Sequence, residues 1–143
     1  MDNRATIDKA FTVLRDSLVA YIAQELSLVF GSKIWWREGV INRLYDDQKR
    51  NLPLDGDYAT ITDSLDVALC LLLFADVHWQ DVFKKKLSID HRTWAKELAS
   101  FRNKSAHIGG KDFSDDDTWR ALDTMSRLSE QIDPEAAEEI RRF

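Results

Sequence analysis

From Thr6 to Phe30 the apolar residues Ile7, Ala10, Phe11, Leu14, Leu18, Tyr21, Ile22, Leu26 and Val29 recur every three or four positions. That spacing predicts one long amphipathic helix, with Gly31 as its stop. A shorter helix with a weaker stripe is expected from about Ile34 to Arg50, followed by a loop over Asn51–Asp57, where Pro53 and Gly56 sit among Asp and Asn residues. The stretch from about Thr60 to Phe74 is apolar nearly all round and reads as the most buried helix of a bundle. His78–Phe83 extends it or adds a turn, and Lys84-Lys85-Lys86 closes that unit as a solvated, positively charged helix end.

A further helix opens near Asp90, carries Trp94, Leu98 and Phe101 on one face and ends at Gly109-Gly110. Ser114 followed by three aspartates is an N-cap with acids in the first turn, and Trp119, Leu122, Met125 and Leu128 continue at helical spacing. Asp133-Pro134-Glu135 then restarts a helix with a cap and a proline at its first position. The expectation is an all-α bundle of about five to six helices forming a single domain over 1–133. Residues 134–143 would be the start of a C-terminal helix leading into a larger protein.

Composition sharpens this picture. The chain has 143 residues, 44% hydrophobic and 31% charged, with only five Gly and two Pro, which suits one helical domain with its own core. A net charge of −5 argues against nonspecific coating of nucleic acid, which requires a broad cationic surface. It leaves room for a local basic cleft. The single cysteine, Cys70, lies in an apolar run and is expected to pack as a small buried residue in a reducing cytoplasm. The longest apolar run, Val67–Ala75, is about half of what spans a bilayer, so no membrane association is expected.

Of the five tryptophans, Trp79, Trp94 and Trp119 are expected in the core. Trp35 and Trp36, about 100° apart on a helix, should not both face it, so one should lie at an edge or a subunit contact. His78 and His91 lack Cys or His partners at ligand spacing, and no metal or other cofactor is expected. There is no glycine-rich phosphate loop and no Gly-x-Ser-x-Gly elbow.

The remaining chemistry concentrates in Arg102-Asn103-Lys104-Ser105-Ala106-His107. Asn103 and His107, four apart, share a helix face, while Arg102 lies about 140° from His107 and must reach around with its long side chain. An arginine offers a fixed fork to a phosphate, an asparagine can orient a partner and a histidine can move a proton near neutrality. By spacing alone the combination is common, and a structural alternative has Arg102 pairing with an acid while His107 caps the helix end. Lys104 and Lys111, with Arg92 as a further contributor, would supply positive charge for a local cleft.

The region from Thr93 to Ile132 resembles the HEPN superfamily, whose pattern is an arginine, usually a polar residue next, and a histidine a few residues on. The closer likeness is to a bacterial Swt-type branch, through Arg102–His107 followed by Phe113-Ser114-Asp115-Asp116 and Arg120-Ala121-Leu122-Asp123-Thr124-Met125. The N-terminal helix and the Leu65–Phe83 unit also resemble that branch. The resemblance implies a helical bundle that dimerises through its motif helices, with two copies of Arg102, Asn103 and His107 around one RNA-binding cleft. It implies metal-independent RNA cleavage by attack of the 2′-hydroxyl on the adjacent phosphate, in a toxin or antiviral defence system with an antitoxin or further domains as partners. The alternatives are a noncatalytic dimerisation or RNA-binding module that assembles a larger defence protein, and a helical scaffold with a degenerate site.

Overall fold

In the computed structural model, which describes residues 2–107 and 110–143 and leaves out the side chains of residues 106 and 107, the periodic N-terminal segment forms α1 (Asn3–Phe30). Its stripe of Ile7, Ala10, Leu14, Leu18, Ile22 and Leu26 is at most 1% exposed, making α1 the spine of the core. Asp2 caps its start by accepting from Ala5 N–H. Gly31, at φ +97°, closes its end by donating to the Ser27 carbonyl at 2.8 Å, a conformation that favours glycine.

Seven α-helices appear among the described residues. After α1 come α2 (Trp35–Gly39), α3 (Tyr58–Asp63) and α4 (Val67–Leu72), then the longer α5 (Ile89–His107), α6 (Asp115–Glu130) and α7 (Pro134–Arg141). Contacts join α1 to α2, α4, α6 and α7, and α5 lies between α4 and α6. Phe101, near the end of α5, packs against Phe11 near the start of α1, so the motif end of α5 meets the N-terminal end of α1. Ser114 and Asp133 cap α6 and α7 as expected, and Pro134 occupies the first turn of α7. α7 buries Ala136, Ala137 and Ile140 against the bundle, and Asp133 accepts from Ser17 of α1 at 3.0 Å.

Two expected helices are broken. The Ile34–Arg50 stretch is helical only over α2 and a 3-10 turn at Ile41–Arg43. Gly39 packs so close to α1 that a Cβ there would lie 3.1 Å from Leu26 Cδ1 and 3.3 Å from Phe30. His78 Nε2 donates to the Gly39 carbonyl at 2.6 Å. That carbonyl is committed to tertiary packing, and the next residue, Val40, leaves regular helical geometry at φ −119°.

The Thr60–Phe74 stretch splits at Ser64–Asp66. Thr62 and Ser64 hydroxyls donate back to carbonyls of their own turn, and Asp66 caps α4 by accepting from Leu69 N–H at 2.8 Å. α4 runs into a π-helical turn, Leu73–Val77. Val67, Leu69 and Leu72 are only half-buried, so this stretch is not apolar-buried all round, and the long buried stripe belongs to α1.

The tryptophans also depart from expectation. Both Trp35 and Trp36 are buried at 5% exposure, packed edge to face, because the 51–57 loop returns over α2 and Pro53 accepts from the Trp36 indole at 2.8 Å. Trp119, expected in the core, is 68% exposed, since Ala121, Met125 and Leu128 form the inner face of α6. Trp79 is buried, and Trp94 is half-buried with its ring against His91. The lysine run is solvated as expected, but Lys86 also sets its ammonium 2.8 Å from the buried carboxylate of Glu25.

Candidate functional site

α5 keeps helical backbone to His107, so Arg102–His107 occupies its last two turns. That register leaves Asn103 and His107 one helical turn apart. The side chain of His107 lies outside the described residues, as do Ile108 and Gly109.

Arg102 is half-buried, and its side chain makes no hydrogen bond or ion pair with the described residues. Its guanidinium is not committed to an acid on the bundle surface, unlike those of Arg15, Arg43, Arg92, Arg120, Arg127, Arg141 and Arg142. The Arg102 carbonyl accepts from the Ser105 hydroxyl at 2.7 Å, a bond within the helix's last turns.

Asn103 is exposed and lines a cleft of about 520 Å³ whose other walls include Leu69 and Leu72 of α4 and Ala99 of α5. Lys104, one position on, turns away from it. It lines a separate cleft of about 360 Å³ between α5 and α6, beside Asp117, Glu97 and Arg120. Arg120 donates to Glu97 at 2.6 Å, which holds its guanidinium charged. Lys111 has an exposed side chain on the stretch before α6. The motif thus presents Asn103 and Lys104 to different clefts, and the Arg102 guanidinium has no partner among the described residues.

Arg92 does not join them. Its Nε donates to the Ala75 carbonyl at 2.9 Å and its fork lies 3.9 Å from Asp76. Ten residues of helix separate it from Arg102, about 15 Å. His78 is fully buried between Gly39, Asp81 and Phe30, and His91 packs at the start of α5. Among the described residues no group of three or more His, Cys, Asp and Glu side chains converges in metal-binding geometry. Burial pushes the Cys70 thiol up to about 12, which leaves it a packing residue. No helix among the described residues is long and apolar enough to cross a membrane.

Sequence patterning missed the groups that surround the end of the motif helix from α1. Asn3 and Arg4 donate backbone N–H groups to the Asp112 carboxylate at 3.1 and 2.8 Å. These bonds hold the Asp112 carboxyl below its ordinary value. The Arg4 guanidinium donates to the Lys111 carbonyl at 2.8 Å and sits 4.9 Å over the Phe113 ring. Over a hundred residues separate these partners, and no local pattern announces them.

Compared with known protein families, the chain matches the model described as Swt1-like HEPN over residues 9–133, a span that includes the whole Arg102–His107 motif. No curated protein and no solved structure matched it.

Proposed function

The chain belongs to the Swt1-like HEPN family, a membership that points to a nuclease or RNA-related module, and on that footing we propose that it is a metal-independent endoribonuclease domain. The reading places it in a bacterial toxin or antiviral defence system in the cytoplasm, acting as a homodimer with an antitoxin or further domains as partners. Two copies of Arg102, Asn103 and His107 would face one RNA strand. The 2′-hydroxyl attacks the adjacent phosphorus, the bond to the 5′-oxygen breaks, and a 2′,3′-cyclic phosphate and a 5′-hydroxyl result. His107 transfers the proton, Arg102 holds the charge gathering on the phosphoryl oxygens, and Asn103 orients them. Lys104 and Lys111 bind the RNA backbone on either side.

The observation that carries this reading is the half-buried Arg102 guanidinium with no partner among the described residues, in the last turns of the helix that ends at His107. An arginine whose fork has no partner among the described residues is available to hold an incoming phosphate by two parallel bonds. The test is cleavage of mixed-sequence RNA in EDTA by the wild type, Arg102→Ala and His107→Ala, with product ends and dimerisation measured for each. Cutting to cyclic phosphate ends, lost in both dimeric variants, is the expected result. An intact wild-type dimer that leaves RNA uncut would overturn the proposal.

The acids beside Lys104 favour a second reading. Glu97 and Asp117 line the same cleft and offset its charge, which suits a noncatalytic dimerisation or RNA-binding module within a larger defence protein. On that reading His107→Ala changes little.

A further inference from the structure

Residues at the start of a chain ordinarily fray unless something ties them down. Here the first turn of α1 is tied to both flanks of the stretch that follows Ser105. On the near side, Arg4 Nη1 approaches the Ser105 carbonyl, in the last turn of α5, at 3.5 Å. On the far side, Arg4 Nη2 donates to the Lys111 carbonyl at 2.8 Å. The base of the arginine is itself held, because Asp112 accepts from the backbone N–H groups of Asn3 and Arg4. Asn3, 4% exposed, donates Nδ2 to the Phe113 carbonyl and to Asp115 Oδ1, both at 2.9 Å.

The Phe113 ring beneath Arg4 stacks on Phe101 at 5.0 Å, and Phe101 packs on Phe11 at 6.4 Å. The guanidinium is therefore referenced to α1, to α5 just before the motif and to the chain just after it. A planar fork with five donors can hold two carbonyls at fixed separation, which a lysine ammonium, a flexible point charge, does not do.

We propose that Arg4 is a positioning residue for His107, its guanidinium bridging the Ser105 and Lys111 carbonyls so as to fix where the end of α5 sits. The inference rests on the reading of His107 as the proton-transfer group, but its central test does not. Misplacing a reacting group by about 1 Å costs on the order of 100-fold in rate, so an end of α5 held from both flanks sets the rate through geometry alone.

The experiment records the imidazole resonances of the full chain, isotopically labelled at its three histidines, in the wild type, Arg4→Lys and Arg4→Ala, with His107→Gln for assignment. Both Arg4 variants are expected to shift the His107 resonances and its titration midpoint, while His78 and His91, buried elsewhere, stay in place and report an intact fold. Lysine keeps the charge and loses the fork. A shift in Arg4→Ala alone would therefore mean an effect of charge, and the bridge would be overturned. Unmoved His107 resonances in both variants would overturn it too.

Assays with RNA in parallel should show turnover lowered about tenfold or more in both variants with KM unchanged. A wild type that cuts no RNA, but whose His107 responds to Arg4, keeps the bridge and sinks the nuclease reading. Cleavage that depends on His107 while its resonances ignore Arg4 does the reverse.

Discussion

The backbone N–H of Ser88 points at Nδ1 of His91, 3.3 Å away, and the Ser88 hydroxyl lies 3.1 Å from the same nitrogen. Since an N–H only donates, Nδ1 accepts and carries no proton. His91 N–H donates in turn to the Ser88 carbonyl at 3.0 Å. Ser88 precedes α5 and His91 is its third residue, so the imidazole occupies the place that Glu or Gln takes in a capping box.

Burial, outweighing the opposing effects of the Ser88 backbone and of the Asp90 charge, holds the His91 imidazole below its usual value. The unfolded chain therefore takes up the proton first, and this contribution is present above about pH 6.5 and lost as pH falls below it. His91→Gln keeps an acceptor that does not titrate. Thermal unfolding between about pH 8 and pH 5 should show a shallower decline for His91→Gln than for the wild type. Parallel declines would mean that the cap does not titrate as described.

Arg15 decides where α3 ends. Its Nε donates to the Leu65 carbonyl at 2.8 Å and a terminal nitrogen to the Thr62 carbonyl, which also accepts from Leu65 N–H at 3.2 Å, so the break between α3 and α4 is held from α1. Arg15→Ala leaves both without that donor and should cost about 1–3 kcal/mol. Arg15→Lys should recover little, because an ammonium does not reproduce the fork. Urea unfolding measures both, and full recovery in the lysine variant would point to charge instead of geometry.

These two cases show why some of the fold was legible in the sequence and some was not. α1, α6 and α7 were readable because Gly31, Ser114 and Asp133-Pro134 mark their ends within a residue or two of the periodic run. The break inside Thr60–Phe74 was not, because the Thr62 and Leu65 carbonyls are bonded by an arginine some fifty residues away. The end of α2 depends likewise on Gly39 meeting Leu26 and Phe30, a contact that only the fold creates. For the site, the helix that carries Arg102–His107 followed from the pattern, while its expected stop at Gly109-Gly110 falls in part outside the described residues. That Asn103 and Lys104 open onto separate clefts, and that Arg4 reaches Lys111, required the packing of three helices.

Trp119 offers a simple check on the orientation of α6. At 68% exposure it makes little of the core, so Trp119→Lys should change stability by no more than about 0.5 kcal/mol. Trp79→Ala, at a position 2% exposed, should cost about 3–5 kcal/mol. Acrylamide quenching of the remaining fluorescence should weaken in the Trp119→Lys variant, since the accessible indole is gone. Equal losses of stability in the two variants would contradict the orientation.

The three lysines after Phe83 are not equivalent, and Glu25 is the reason. The Glu25 residue is 4% exposed in α1, and its carboxylate oxygens lie 2.8 and 3.2 Å from Lys86 Nζ. One helical turn away, burial and then the Glu25 charge push the Tyr21 phenol up to about 12, the behaviour of a site where negative charge is poorly solvated. Lys86→Met removes the carboxylate's cation and should cost roughly 2–3 kcal/mol, below the range for a fully buried pair because the Lys86 side chain is 57% exposed. Lys85→Met, at an exposed position with no ion pair among the described residues, should fall within about 0.5 kcal/mol of the wild type. Glu25→Gln placed on Lys86→Met should restore part of the loss, because the stranded charge is then gone, and a double-mutant cycle should return a coupling of about 1 kcal/mol or more. If Lys86→Met is as harmless as Lys85→Met, water or another group solvates Glu25, and the ion pair contributes nothing to stability.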